Sequence, residues 1–72
     1  MPSPATVHAT VNGDPIELAA GTSVAELVAR TCPSARGVAV ALDREVVPRS
    51  SWTVTVVGHG ASVEIVTAAA GG

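Results

Sequence analysis

The part of this sequence best suited to chemistry is its carboxyl terminus, which reads VTAAAGG over residues 66–72. Such a tail cannot pack a core, because glycine is costly to order and alanine buries little surface. Residues 68–72 are therefore expected to be flexible, and fully extended they span about 17 Å at roughly 3.3–3.6 Å per residue. Gly71 and Gly72 have no Cβ and can enter a cleft too narrow for any other pair. Two hypotheses follow: an inert frayed end, or a functional carboxylate at Gly72.

The remaining reactive side chains do not form a recognisable catalytic set. Cys32 is the only cysteine, and its place beside Pro33 favours a partly buried small hydrophobe over a sulfur-exchanging thiol. His8 falls on the polar side of an alternating stretch and His59 in a glycine-rich turn, a pattern typical of solvated histidines. The sequence has no nucleophile–base pair, phosphate-binding loop or metal-ligand cluster. It predicts a protein that is not an enzyme and binds neither metal nor cofactor itself.

Five stretches with alternating apolar residues or strand-like composition predict β-strands. They cover residues 5–11, 16–18, 38–42, 45–47 and 62–67. Asn12-Gly13 predicts the turn of an opening hairpin, and Asp43-Arg44 predicts a second turn. Pro48 marks residues 45–47 as an edge strand or its end. Residues 50–52 and 58–60 are expected to form turns, with a short extended or irregular stretch at 53–57.

One helix of about nine residues is predicted between the second and third strands. Ser23 and Glu26 have capping-box spacing, which marks the start of the helix. An apolar stripe at helical spacing follows, formed by Val24, Leu27, Val28 and Thr31. Pro33 ends the helix. A hairpin, a helix and further strands indicate the α+β class and a ubiquitin-like β-grasp fold, with a mixed sheet on one main helix. The expected division is a single domain over residues 1–67 and a tail over 68–72.

Composition excludes several classes of protein. Seventy-two residues form one small domain, and an apolar content of 47% excludes a disordered chain. There is no lysine, one aromatic residue and a net charge of −2, which disfavours a nucleic-acid surface. No apolar run approaches the roughly 20 residues of a membrane span. A monomer located in the cytoplasm, with no membrane partner, is expected.

Four stretches together resemble the ThiS family, the sulfur carrier proteins of thiamine biosynthesis. They read VNGDPIEL (11–18), GTSVAELV (21–28), GVAVALDREVVPRSSW (37–52) and VEIVTAAAGG (63–72). The resemblance covers nearly the whole chain from about Thr6. One position departs from the family pattern, because Ala61 follows Gly60 where the family usually has an acidic residue. The fold should tolerate this change, but a role for a carboxylate at that turn is not expected here.

The resemblance implies a chemistry for Gly72. A ThiF-like adenylyltransferase would use ATP to convert its carboxylate into an acyl-adenylate, and a sulfur donor such as a cysteine desulfurase would lead to a thiocarboxylate. A ThiG-like thiazole synthase would then accept the sulfur. Gly71 and Ala70 would be required to enter the partner's cleft. A molybdopterin-synthase small subunit shares this fold and chemistry, and VVPR with Trp52 favours thiamine. A ubiquitin-like modifier and an interaction module with an inert tail remain as alternatives.

The alternation of the strands also predicts a docking surface on the outer face of the sheet. Ala39, Ala41 and Val66 fall on this face, with the polar His8 and Thr10 on the same side. Exposed small and apolar side chains of this kind are typical of a partner-binding surface. Trp52 is expected to pack on the core, with a docking role as the alternative. Arg49 is expected either to pair with an acidic neighbour or to contact a partner enzyme.

Overall fold

The structure, a computed structural model, describes residues 5–67. Five strands form one sheet in the order β2-β1-β5-β3-β4. The elements are β1 (Thr6–Val11), β2 (Asp14–Ala19), α1 (Val24–Thr31), β3 (Val38–Leu42), β4 (Glu45–Val47), a 3-10 helix (Arg49–Ser51) and β5 (Ser62–Thr67). β1 and β5 are parallel neighbours, whereas all other pairs are antiparallel. The predicted mixed sheet on one main helix, a ubiquitin-like β-grasp fold, is confirmed.

Two hairpins close with the turns that the sequence predicts. Asn12 and Gly13 have φ values of 51° and 86°, and Asp43 and Arg44 have values of 50° and 70°. Two successive residues with positive φ match the twist of the flanking strands. β2 begins directly after the first turn and includes Pro15, which an edge strand tolerates because its nitrogen needs no ladder partner.

The helix begins and ends close to the predicted residues. The Ser23 hydroxyl accepts a hydrogen bond from the Glu26 amide at 3.1 Å, and the Glu26 carboxylate accepts one from the Ser23 amide at 3.0 Å. This is the predicted capping box. Cys32 already has an extended conformation before Pro33, so the helix has eight residues.

The segment between β4 and β5 is mostly irregular, as expected. The turn predicted at residues 50–52 is a 3-10 helix over Arg49–Ser51 followed by a turn. In the stretch over 53–57, Val56 forms an isolated bridge with Ser23. Trp52 is only 5% exposed, and its indole N–H donates a hydrogen bond to the Val47 carbonyl at 2.9 Å. Trp52 therefore packs on the core, as predicted.

The core lies between α1 and the inner face of the sheet. Its largest fully buried side chains are those of Leu18, Val24, Leu27, Val28, Val40, Val57 and Val63. Val40 and Val63 come from the central strands, whose alternate residues point to the opposite face. One helix covers one face only, and this leaves the other face of β3, β4 and β5 without a covering element among residues 5–67.

Candidate functional site

The strand that leads to the carboxyl terminus occupies the centre of the sheet. β5 lies between β1 and β3 and pairs with β3 along its length, from Leu42 with Val63 to Val38 with Thr67. The predicted reactive end, Ala70 with Gly71 and Gly72, lies outside the described residues. The structure therefore shows the strand that precedes this end in the chain. It also shows two surfaces beside that strand, the outer face of the sheet and a cavity near the end of α1.

Asn12 holds β5 on the side that faces β1. The paired segment of these two strands is short, since it joins Thr10 to Ser62 and Val11 to Val63 only. Beyond it, the Asn12 side-chain amide donates a hydrogen bond to the Ile65 carbonyl at 3.1 Å and accepts one from the Ile65 amide at 2.8 Å. The interpretation of Asn12 as turn chemistry was incomplete, because the residue also makes a contact 53 positions away in the chain.

The His59 side chain also bonds to the backbone of a neighbouring segment, just before the start of β5. Its Nδ1 accepts a hydrogen bond from the His8 amide at 3.1 Å, which requires Nδ1 to be unprotonated. The His8 ring lies 5.8 Å from the His59 ring and 3.1 Å from the Glu17 carboxylate. The side chains of His8 and Glu17 are each 64% exposed. Both histidines are exposed as predicted, and no group of three or more His, Cys, Asp or Glu side chains within residues 5–67 could hold a metal ion.

The three residues predicted for docking lie together on the outer face of the sheet. Ala39 pairs directly with Val66 across β3 and β5, and Ala41 is two residues further along β3. Val46 of β4 pairs with Ala41 and extends this surface. We call these four residues the outer patch. They line a shallow groove of about 210 Å³, and Val46 and Val66 are 73% and 64% exposed.

Val46 and Glu64 belong to this surface although the sequence reasoning did not select them. The two-residue turn at Asp43-Arg44 sets Val46 opposite Ala41, so the register of the hairpin could have identified it. The Glu64 side chain lines the same groove. Within the part of the chain that the structure describes, its carboxylate has neither a salt bridge nor a hydrogen bond.

A larger cavity of about 430 Å³ lies where the end of α1 faces the first hairpin and the end of β5. Cys32, Asn12 and Thr67 are among its lining residues. Cys32 is partly buried, as predicted, and its sulfur lies 3.7 Å from the Thr31 hydroxyl. The described residues around this cavity include no histidine or cationic side chain that could activate the thiol.

Arg49 has a structural role that neither expectation had described. Its guanidinium donates a hydrogen bond to the Ala35 carbonyl and lies 5.2 Å from the centroid of the Trp52 ring. Among residues 5–67 it forms no salt bridge with an acidic side chain. The side chain therefore connects the loop after α1 to the buried indole. The alternative of a contact with a partner enzyme is not tested by these contacts.

Ala61 is 6% exposed and belongs to the core. A carboxylate nevertheless lies beside it, because the Asp43 side chain accepts a hydrogen bond from the Ser62 amide at 2.9 Å. The Asp43 amide in turn donates to the Ser62 carbonyl at 2.8 Å. The second hairpin turn thus holds the start of β5, and alanine at position 61 fits this fold.

A sheet with a parallel β1–β5 pair at its centre and one covering helix defines a ubiquitin-like β-grasp domain, and the sequence after its final strand reads AAAGG. The model of the ThiS family matches residues 7–72, and the chain belongs to this family. The solved structure of the thiamine biosynthesis protein ThiS from Geobacter metallireducens is similar, with a TM-score of 0.78 and 35% sequence identity. The match covers 92% of this chain and 100% of that one.

These comparisons support a small sulfur-carrier protein of thiamine biosynthesis. No curated protein matches the chain. The eight-residue α1 is too short to cross a membrane, and residues 5–67 contain no other helix that could do so.

Proposed function

We propose that this protein carries sulfur, as a thiocarboxylate on Gly72, to the enzyme that forms the thiazole half of thiamine. The observation that carries the proposal is the family match, which continues through Gly71 and Gly72. The fold supports it, because the central strand β5 is the last strand of the sheet and ends at Thr67, five residues before Gly72. The thiamine pathway is favoured over the molybdopterin pathway by the family and by the similar solved structure.

The proposed reactions take place in partner enzymes. In the adenylyltransferase, a Gly72 carboxylate oxygen attacks the α-phosphate of ATP, and pyrophosphate leaves. The terminal sulfur of a persulfide, supplied by a cysteine desulfurase or another donor, then attacks the acyl carbon and AMP leaves. A thiol reduces the resulting acyl disulfide, so that the Gly72 thiocarboxylate and a new disulfide form. Thiazole synthase then transfers the sulfur to its substrate, and an oxygen atom from that substrate or from water replaces the sulfur on the acyl carbon, so that the Gly72 carboxylate is restored for another cycle.

We propose that the outer patch is the surface that docks on the adenylyltransferase. Val66 belongs to this patch and is six residues from Gly72, so a partner that receives the terminal carboxylate does so within about 20 Å of this face. The exposed valines do not contribute to the core, and exposed apolar patches of this kind serve binding. Glu64 lies in the same groove without a charged partner among residues 5–67. The docking partner is therefore expected to present an apolar surface with an arginine or lysine opposite Glu64.

The test changes the position of the terminal carboxylate without changing the folded domain. One alanine added after Gly72 moves the carboxylate by about 3.5 Å, and misplacement by even about 1 Å can cost on the order of 100-fold in rate. Addition of this alanine, or deletion of Gly72, should abolish ATP–pyrophosphate exchange by the adenylyltransferase. Gly71→Val keeps the length and tests whether the cleft excludes a β-branched side chain.

The matched control is one alanine added at the amino terminus, which should leave exchange unchanged. Circular dichroism of each variant checks the fold. Intact-mass analysis of the protein from its host should show the exchange of one oxygen for one sulfur at Gly72. If the variant lengthened after Gly72 is still adenylated and still supports thiazole formation, the proposed function is wrong.

A further inference from the structure

The hydrogen bonds between β1 and β5 stop before β5 does. The amides of Thr10 and Asn12 donate to the carbonyls of Ala61 and Val63 at 3.0 and 2.8 Å. In a parallel ladder the next groups on β5 would be the N–H and the C=O of Ile65. They would bond to the carbonyl of residue 12 and the amide of residue 14, but the chain turns at Asn12-Gly13 and β2 runs back.

The Asn12 side chain supplies both missing partners. Its Oδ1 accepts from the Ile65 amide at 2.8 Å, and its Nδ2 donates to the Ile65 carbonyl at 3.1 Å. A primary amide has the same acceptor and donor as a peptide group, so it can replace one step of a strand. The left-handed backbone of Asn12, with φ at 51°, is one that asparagine tolerates better than most residues.

We propose that Asn12 is a positioning residue that fixes β5 at Ile65 and thereby sets the point from which the carboxyl-terminal tail continues. This inference rests on the proposed function of that tail. With Asn12 in place, β5 is held on both sides around Ile65, by the pairing of Glu64 and Val66 with β3 and by the side-chain amide of Asn12. Without it, the last residues of β5 are held by β3 alone. The adenylyltransferase must then order them when it binds the tail.

The consequence for the reaction is a higher KM for the carrier at an unchanged kcat. Ordering one residue of backbone corresponds to a factor of roughly 5–30 in an equilibrium constant, and pairing with β3 keeps the effect near the lower end. A cost that applies equally to the bound carrier and to the transition state raises KM without changing kcat. We therefore expect a roughly fivefold rise in KM for Asn12→Gly.

Asp43→Gly is the matched control variant. Like Asn12, Asp43 is an exposed turn residue with positive φ whose side chain bonds to the backbone of β5, but at Ser62, the end of β5 far from the tail. Glycine accepts positive φ at either position, so both variants keep the turn and lose the side-chain contact. Both should lower the melting temperature by a few degrees. At a temperature where both are folded, only Asn12→Gly should raise KM.

Amide hydrogen exchange tests the contact itself without the partner enzyme. Loss of one hydrogen bond should accelerate exchange roughly fivefold, at Ile65 in Asn12→Gly and at Ser62 in Asp43→Gly. Asn12→Asp keeps an acceptor for the Ile65 amide and loses the donor, so its KM should lie between those of the wild type and Asn12→Gly.

Equal KM values for the two glycine variants would overturn the positioning role of Asn12. If the wild-type protein supports no ATP–pyrophosphate exchange, the proposed function fails instead. Amide hydrogen exchange then decides whether Asn12 fixes β5 at Ile65. Faster hydrogen exchange of the Ile65 amide in Asn12→Gly supports this positioning role, and an unchanged rate overturns it.

Discussion

The two faces of the sheet are built from the same strands and differ in what covers them. On the inner face, Val40 and Val63 are 2% and 0% exposed beneath α1. On the outer face, Val66 is 64% exposed and Val46 is 73% exposed. β3 pairs antiparallel with both β4 and β5, and an antiparallel sheet with one solvated face normally carries polar residues there. Folding explains the apolar residues of the inner face, and it does not explain those of the outer patch.

The size of the domain accounts for this asymmetry. Residues 5–67 of this 72-residue chain contain one α-helix, of eight residues, which can cover only one side of their five strands. An apolar outer face therefore has to be covered by another molecule or remain in contact with water. If docking explains the outer patch, substitutions on the inner face should change stability and substitutions in the patch should change binding. The predictions below test this separation.

The largest effect is expected from Leu27→Ala, which creates a cavity beneath the sheet. Leu27 is 0% exposed, and such truncations typically cost about 2–5 kcal/mol of unfolding free energy. A small domain has little stability to spare, so this variant should be largely unfolded under mild denaturing conditions. Urea unfolding measures the loss.

Val46→Ala is the matched truncation on the outer face and should change the free energy of unfolding by no more than about 0.5 kcal/mol. A comparable loss in both variants would show that the two faces contribute alike to stability. The proposed separation, with stability from the inner face and binding by the outer face, would then be wrong.

A change of charge in the outer patch should affect binding more than folding. Val66→Asp places an unpaired carboxylate in the proposed interface, at a cost of about 2 kcal/mol or roughly 30-fold in Kd. The strand itself should lose no more than about 1 kcal/mol. Calorimetric titration with the adenylyltransferase measures the affinity.

Val54→Asp is the control, because Val54 is 78% exposed and lies outside the patch. It introduces the same charge and should leave the affinity unchanged. Equal weakening by both substitutions would point to net charge as the cause, and unchanged affinity in Val66→Asp would exclude the outer patch from docking.

The fold could be predicted because its signals are local. Alternation identified the strands, paired turn residues identified the hairpins, and Ser23 with Glu26 identified the start of the helix. The inner and outer faces follow from the same alternation. The place of Val46 in the outer patch was not predicted, because it depends on the register of a three-residue strand, which periodicity alone does not define.

The contacts that hold β5 could not be predicted in the same way. Asn12 and Ile65 are 53 positions apart, and nothing in the local pattern distinguishes an asparagine that only turns the chain from one that also bonds across the sheet. The hydrogen bonds of Arg49 to the Ala35 carbonyl and of Asp43 to the Ser62 amide also join residues distant in the sequence, 14 and 19 positions apart. The Asn12 contact appears only when the parallel pairing of β1 and β5 is known, and the Asp43 contact only when β5 is known to pair with β3.

Trp52→Phe should give an intermediate effect, confined to stability. It removes the hydrogen bond from the indole N–H to the Val47 carbonyl and weakens the contact with Arg49. A lost hydrogen bond to a partly buried carbonyl costs about 1–2 kcal/mol. Urea unfolding should show this loss, whereas affinity for the adenylyltransferase should not change. If the folded variant instead binds the adenylyltransferase more weakly than the wild type, this would support the docking role considered for Trp52.

The smallest effect concerns the start of α1, which lies far from the proposed interface and should influence stability alone. The hydrogen bond from the Ser23 amide, together with the one involving the Ser23 side chain, lowers the pKa of Glu26 below its ordinary value of 4.5. A carboxyl group with a lowered pKa in the folded state contributes stability above its unfolded pKa and loses it as pH falls through the folded value.

Glu26→Gln keeps an acceptor in the capping box but cannot titrate. The melting temperature of the wild type should therefore exceed that of Glu26→Gln near neutral pH, and the gap should close below about pH 4. In a Ser23→Ala background, where the amide remains and the hydroxyl is lost, this pH-dependent gap should shrink without vanishing. A gap that stays constant from neutral to acidic pH would show that the charge of Glu26 does not stabilise the helix, and a change in adenylyltransferase affinity would place the helix within the interface.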